Sequence, residues 1–165
     1  MEATTVPHGF LDIMGRMLLA VVAGAIIGID RELQRKPAGV RTHALVAMGA
    51  CMFTMIGLIV ADVPTLDLSA PGRVVQGVVA GVGFIGAGAI FRREGLTGGQ
   101  GLTTAASVWV VAAVGAASAA GLWRLSAVAV VLAVLILLLE EPVDRLVDYM
   151  SRRRSARESG ERPSS

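Results

Sequence analysis

Long apolar runs alternate with short polar connections along this chain. Five runs approach the roughly 20 residues that a helix needs to cross a bilayer. They predict spans at Phe10–Ile29, His43–Ala61, Val74–Phe91, Thr104–Leu122 and Trp123–Leu139. The first run carries Asp12 and Arg16 near its start, four residues apart, a spacing that predicts a pair snorkelling outward. The link between the fourth and fifth runs is very short, which predicts an antiparallel hairpin. The connection IGIDRELQRKPAGVRTHALV, Ile27–Val46, packs Asp30, Arg31, Glu32, Arg35, Lys36 and Arg41 between two apolar ends.

Composition agrees with this pattern. The 165 residues are 54% hydrophobic and 17% charged, with a mean hydropathy of +0.67. A soluble domain of this size has too little interior for so much apolar surface. The charges are also segregated, and windows such as Ala44–Ala61 hold none. The expected fold is an all-α polytopic membrane bundle of five transmembrane helices, over residues 1–145. A basic tail, residues 146–165, is rich in Arg, Ser, Gly and Glu and is expected to be disordered. Its Arg152–Arg154 run reads either as a topology anchor or as a contact to anionic lipid headgroups. No basic n-region precedes the first run, so that helix is expected to stay in the mature protein. Cys51 is the single cysteine, which excludes a disulfide framework and a cysteine-based metal site.

Charge sets the direction. One side of the membrane collects Arg31, Arg35, Lys36, Arg41, Arg92, Arg93, Arg145, Arg152, Arg153, Arg154, Arg157 and Arg162; the other has Arg16, Arg73 and Arg124. The positive-inside rule makes the first set cytoplasmic, with the N-terminus outside and the C-terminus inside.

The sequence also repeats. At an offset of 62, Arg31-Glu32 falls on Arg93-Glu94, Gly39 on Gly101, Thr42 on Thr104, Ala44 on Ala106 and Val46 on Val108. Each copy reads helix, Arg-Glu, loop, Gly-x-x-Thr, helix. This predicts a parallel duplication of a hairpin, spans 1–2 and 3–4, about an axis along the membrane normal. The threonine of each copy stands where a helix needs an N-cap.

Small residues let helices approach closely in lipid. Gly24 and Gly28, and Gly77 and Gly81, form G-x-x-x-G pairs, and Gly83, Gly86 and Gly88 extend the second. Spans one to four are expected to pack tightly through these glycines, with span five at the lipid-facing edge. Polar side chains gather at the cytoplasmic ends: Asp30, Arg31, Glu32, Arg41, Thr42, His43, Glu94, Thr103, Thr104 and Ser107. They read either as anchors and interhelix pairs or as a cation or proton site, with Asp30 the sharpest metal candidate. His43 reads as a hydrogen-bonded structural residue or as a pH-sensitive ligand. A phosphate-binding GxxxxGK[ST] loop, zinc-site spacing and a nucleophilic triad are all missing. The chain has no asparagine, which excludes a Gly-Met-Asn channel signature. An enzyme, an ATP-driven pump acting alone, an organic cofactor and a nucleic-acid partner are therefore not expected.

IGIDRE…PAGVRTHALVAMGA, RVVQGVVAGVGFIGAGAI and GLTTAASVWVVAAVG together resemble the MgtC/SapB family of bacterial inner-membrane proteins, over about Met17 to Leu139. Asp30 stands where Glu is common in that family, and the polar residues after the last span are too few for the soluble domain that many members carry there, so that domain's functions are not expected of this chain. The resemblance implies a role in magnesium homeostasis, in growth at low Mg²⁺ and, in pathogens, in virulence. It leaves two mechanisms open. One is regulation of other membrane machinery such as ATP synthase or transport ATPases. The other is a Mg²⁺ or cation transporter with an inner-mouth site near Asp30. Partners are then the lipid bilayer and other membrane proteins, and a homo-oligomer stays open.

Overall fold

Backbone groups in an apolar run find no water in a bilayer, so they bond to one another and the run closes into a helix. The computed structural model describes residues 6–7, 9–62, 69–91, 100–140, 142, 147 and 149–151, and among them there is no strand. The order is α1 Phe10–Leu33, α2 Val40–Ala61, α3 Ala70–Phe91, α4 Gln100–Ala119 and α5 Trp123–Leu138. The first four are long and apolar enough to cross a membrane. The 16 residues of α5 are apolar but shorter, and would reach only about 24 Å of a hydrocarbon core roughly 30 Å thick. The chain divides into two units, Met1–Val134 and Leu135–Ser165. The first holds α1–α4 and most of α5. Apart from Leu139, the described residues of the second are helical.

Among the described residues α1 touches α2 and α4, α3 also touches α2 and α4, and α2 and α4 touch each other; α1 and α3 do not meet. Exchanging α1 with α3 and α2 with α4 leaves that pattern unchanged. The two halves are nevertheless packed differently. In α1, a Cβ on Gly24 would stand 2.6 Å from the His43 carbonyl oxygen, and one on Gly28 2.7 Å from Val40 Cα. In α4, a Cβ on Gly115 would run into the Ala47 carbonyl. Ala47 is fully buried, so α2 passes between a glycine of α1 and a glycine of α4 at a single residue. Val108, Val111 and Val114 of α4 are buried alongside.

Helix α3 is held more loosely. It meets α2 at one end, where Gly57 faces Val74 and Pro71, and α4 at the other, where Gly86 faces Ala105 and Gly101 faces Ile90. Between these points Val82 joins a small core with Ala50, Val108 and Ala112. A Cβ on Gly77, Gly81, Gly83 or Gly88 would meet nothing within 4 Å. The expected glycine packing of spans one to four is therefore real for Gly24, Gly28 and, at ordinary contact, Gly86, but these other four face open space. Two apolar grooves of about 540 Å³ flank α3. The one against α2 is lined by Gly49, Phe53, Gly77, Val78, Gly81 and Ile85, among others.

The Asp12–Arg16 pair forms, at 2.9 Å, but Arg16 turns inward instead of snorkelling. Its side chain is buried, its Nη1 donates to the Ala119 carbonyl, and its guanidinium stands 5.9 Å from the Trp123 ring centroid. The last carbonyls of a helix have no partner within it, and Arg16 fills one for α4. Beside it, the Ser118 and Ser126 hydroxyls are 3.3 Å apart.

Candidate functional site

At the opposite end, the α1–α2 turn brings the polar residues of the opening motif against α4. Leu33 ends α1, Arg35 takes a left-handed conformation with φ 55°, and Pro37-Ala38-Gly39 reverses the chain. Helix α2 then starts at Val40 with Gly39 as its N-cap, not at Thr42. The expected threonine caps are absent from both copies: α4 starts at Gln100, which puts Thr104 inside it. The free N–H at the start of α2 is taken by a carboxylate from across the turn, with Val40 N donating to Glu32 Oε2 at 3.1 Å. An anion there also suits the helix dipole.

Arg31 is fully buried, and its Nη2 donates to Thr104 Oγ1 at 2.8 Å, a bond across 73 residues joining α1 to α4. His43 is also fully buried. Its Nδ1 lies 2.9 Å from the Gly39 carbonyl and its Nε2 2.9 Å from Ser107 Oγ. A carbonyl only accepts, so Nδ1 carries a proton. Ser107 Oγ is also 2.8 Å from the Thr104 carbonyl. One hydroxyl proton thus has two acceptors. When Nε2 carries no proton both are open to it; when Nε2 is protonated only the Thr104 carbonyl is.

Asp30 lies on a different face. Its Oδ1 accepts from Gln34 Nε2 at 2.9 Å. Its Oδ2 is buried without a hydrogen-bond partner, and so is Gln34 Oε1. Arg41 is exposed and Thr42 half-buried, away from the His43 network. Glu94 lies outside the described residues. The structure therefore brings Arg31 and Thr104 together, joins His43 to Ser107, turns Glu32 to the backbone, and sets Asp30 with Gln34. Sequence reasoning missed Gln34, although its i,i+4 spacing from Asp30 was the available signal. Among the described residues no three of His, Cys, Asp and Glu converge as a metal set.

The chain matches the model of the MgtC family over residues 17–146. It is 44% identical over 133 residues to protein SrpB of Synechococcus elongatus, covering 76% of this chain and 73% of that one. It is 41% identical over 126 residues to the putative magnesium transporter YhiD of Escherichia coli K12, covering 74% and 57%. With protein MgtC of Brucella abortus it shares 39% over 137 residues, covering 83% and 55%. The chain thus spans a little over half the length of these last two relatives. No solved structure matches it. An all-helical chain with four membrane-length apolar helices, matched over 17–146 and at these identities, belongs to the MgtC family.

Proposed function

We propose that this multi-pass membrane protein acts in magnesium homeostasis as a regulator, by packing against a membrane-spanning helix of a cation-handling transport protein. The observation that carries this reading is the open glycine face of α3, where Gly77, Gly81 and Gly88 recur with the period of a helix and meet nothing in their own chain. In lipid, helices associate by close van der Waals contact, and glycine permits the closest approach. An apolar groove at membrane depth beside such a face suits a helix better than a soluble segment. The magnesium role is supported by the names of the relatives, of which one is called a putative magnesium transporter. The basic-residue count supports a cytoplasmic α1–α2 turn, and membership of the MgtC family supports the bacterial inner membrane.

The test is in-cell crosslinking from a photoreactive residue at Val78 or Ile85, both lining the groove, in a strain that needs this protein at low Mg²⁺. A crosslinked transport protein, lost together with low-Mg²⁺ growth in Gly81→Leu at equal protein level, is the expected result. Crosslinks to a second copy alone, or unaltered growth of Gly81→Leu, would overturn the regulator reading. The rival reading, passage of a cation through the bundle, draws on Asp30 at the same end of α1. Mg²⁺ entry into liposomes holding the purified protein, abolished in Asp30→Asn, would replace regulation with transport.

A further inference from the structure

We propose that the α1–α2 turn holds the headgroup of an anionic phospholipid, through the guanidinium groups of Arg35 and Arg41. Helix α1 ends on a pair of bonds, with Lys36 N donating to the Arg31 carbonyl at 2.9 Å and Arg35 N to the Glu32 carbonyl at 3.0 Å. That closure places Arg35 in the left-handed region, at φ 55°, the one non-glycine residue there among the described residues. Glycine ordinarily fills this position, because it takes the conformation without the cost that a Cβ brings. A costly backbone conformation kept at one residue points to a use for that residue. Here the use lies in the side chain, which is exposed.

Arg41, in the first turn of α2, is exposed as well. Among the described residues no ion pair engages either guanidinium. The acids beside the turn are occupied elsewhere: Gln34 Nε2 donates to Asp30 Oδ1, and Val40 N to Glu32 Oε2. The exposed surface of the turn is therefore cationic. Next to it on α1, Ile26, Ile29 and Leu33 share one face by their spacing, and they are 43%, 49% and 79% exposed. An apolar stripe that leads up to two arginines matches a phospholipid. Its acyl chain would lie along the stripe, and its phosphate would meet the guanidinium groups. A zwitterionic headgroup offers them no net charge, and an acidic segment of a soluble protein would leave the stripe uncovered. None of these five residues lines a groove beside α3, so this inference and the docking reading fail separately.

The experiment is fluorescence quenching of the full chain in nanodiscs, with a dye on Ile29→Cys; Cys51 is buried. The quencher is phosphatidylglycerol or phosphatidylcholine at a small fraction of the lipid, each carrying a nitroxide near the top of one acyl chain. Phosphatidylglycerol is expected to quench at about one-tenth of the fraction that phosphatidylcholine needs, and Arg35→Gly and Arg41→Gln each to lower that preference by up to about 5-fold, the equivalent of one basic residue at an anionic lipid surface. Arg35→Gly is also expected to raise the unfolding midpoint, since glycine relieves the left-handed position. Lipid preference lost from a more stable protein cannot come from misfolding. Equal quenching by the two lipids, a preference unmoved by both substitutions, or an Arg35→Gly midpoint no higher than the parent's overturns the site. A preference lost only when Arg152, Arg153 and Arg154 are neutralised gives the lipid to the tail, and overturns it too.

Discussion

Gly115→Ala is expected to destabilise the bundle more than any other single-methyl addition within a transmembrane helix. The added carbon would enter the space of the Ala47 carbonyl, and that obstacle is backbone inside a helix, with no rotamer to yield. Overpacking of a close-packed interior costs about 1–3 kcal/mol when side chains can adjust; here α2 and α4 must separate along their length. Gly24→Ala meets the His43 carbonyl and the Ala47 side chain, and ranks next. Gly81→Ala should do the reverse. Its Cβ meets nothing, and replacing a mid-helix glycine gains up to about 1 kcal/mol of helix propensity. Unfolding in mild detergent, followed by circular dichroism as temperature or sodium dodecyl sulfate rises, would rank the three. An unfolding midpoint for Gly115→Ala equal to that of the parent would mean that α2 and α4 are not in contact at Ala47.

The second large effect is expected at the Arg31–Thr104 bond. Both residues are fully buried. Removing one partner of a hydrogen bond to a charged group costs about 1.5–3 kcal/mol. Thr104→Val keeps the shape and deletes the acceptor, so it should show that cost. Arg31→Leu removes the charge with its donors, and in that background Thr104→Val should cost much less. A double-mutant cycle on the same unfolding assay measures the coupling. A coupling near zero would show that Arg31 is held by other groups and that the bond does not fasten α1 to α4.

The sequence carried the helices well and their neighbours less well. Apolar runs located all five helices, yet α2, α3 and α4 begin three or four residues ahead of their runs, because polar side chains such as Arg41 and Arg73 are tolerated in the first turn of a helix at the membrane surface. Threonine's preference for N-caps pointed to Thr42, but Glu32, eight residues ahead of Val40, was closer to the free N–H of Val40 once the Pro37-Ala38-Gly39 turn had formed. Depth placed Arg31 and Thr104 at one level without pairing them, since the repeat matches Thr104 with Thr42. The same G-x-x-x-G spacing is close-packed in α1 and open in α3, because glycine permits approach and does not supply a neighbour. Gly115, the tightest glycine within a helix, is a lone glycine in an alanine-rich run and carries no motif at all.

The passage of α2 between Gly24 and Gly115 also decides what in this bundle can move. Ala47 acts as an axle pin: rotation or sliding of α1, α2 or α4 would drive backbone into backbone, while the Arg31–Thr104 and Arg16–Ala119 bonds tie the two ends. Helix α3 is stopped less tightly, since its nearest approaches, at Gly57 and Gly101, leave 3.0 Å or more and apolar grooves lie to both sides. A change of state in this bundle is therefore expected to displace α3 against α1, α2 and α4. Spin-label distances from α3 to α1 should broaden or shift with Mg²⁺ while those between α1 and α2 stay constant, and equal changes in both would dissolve that division.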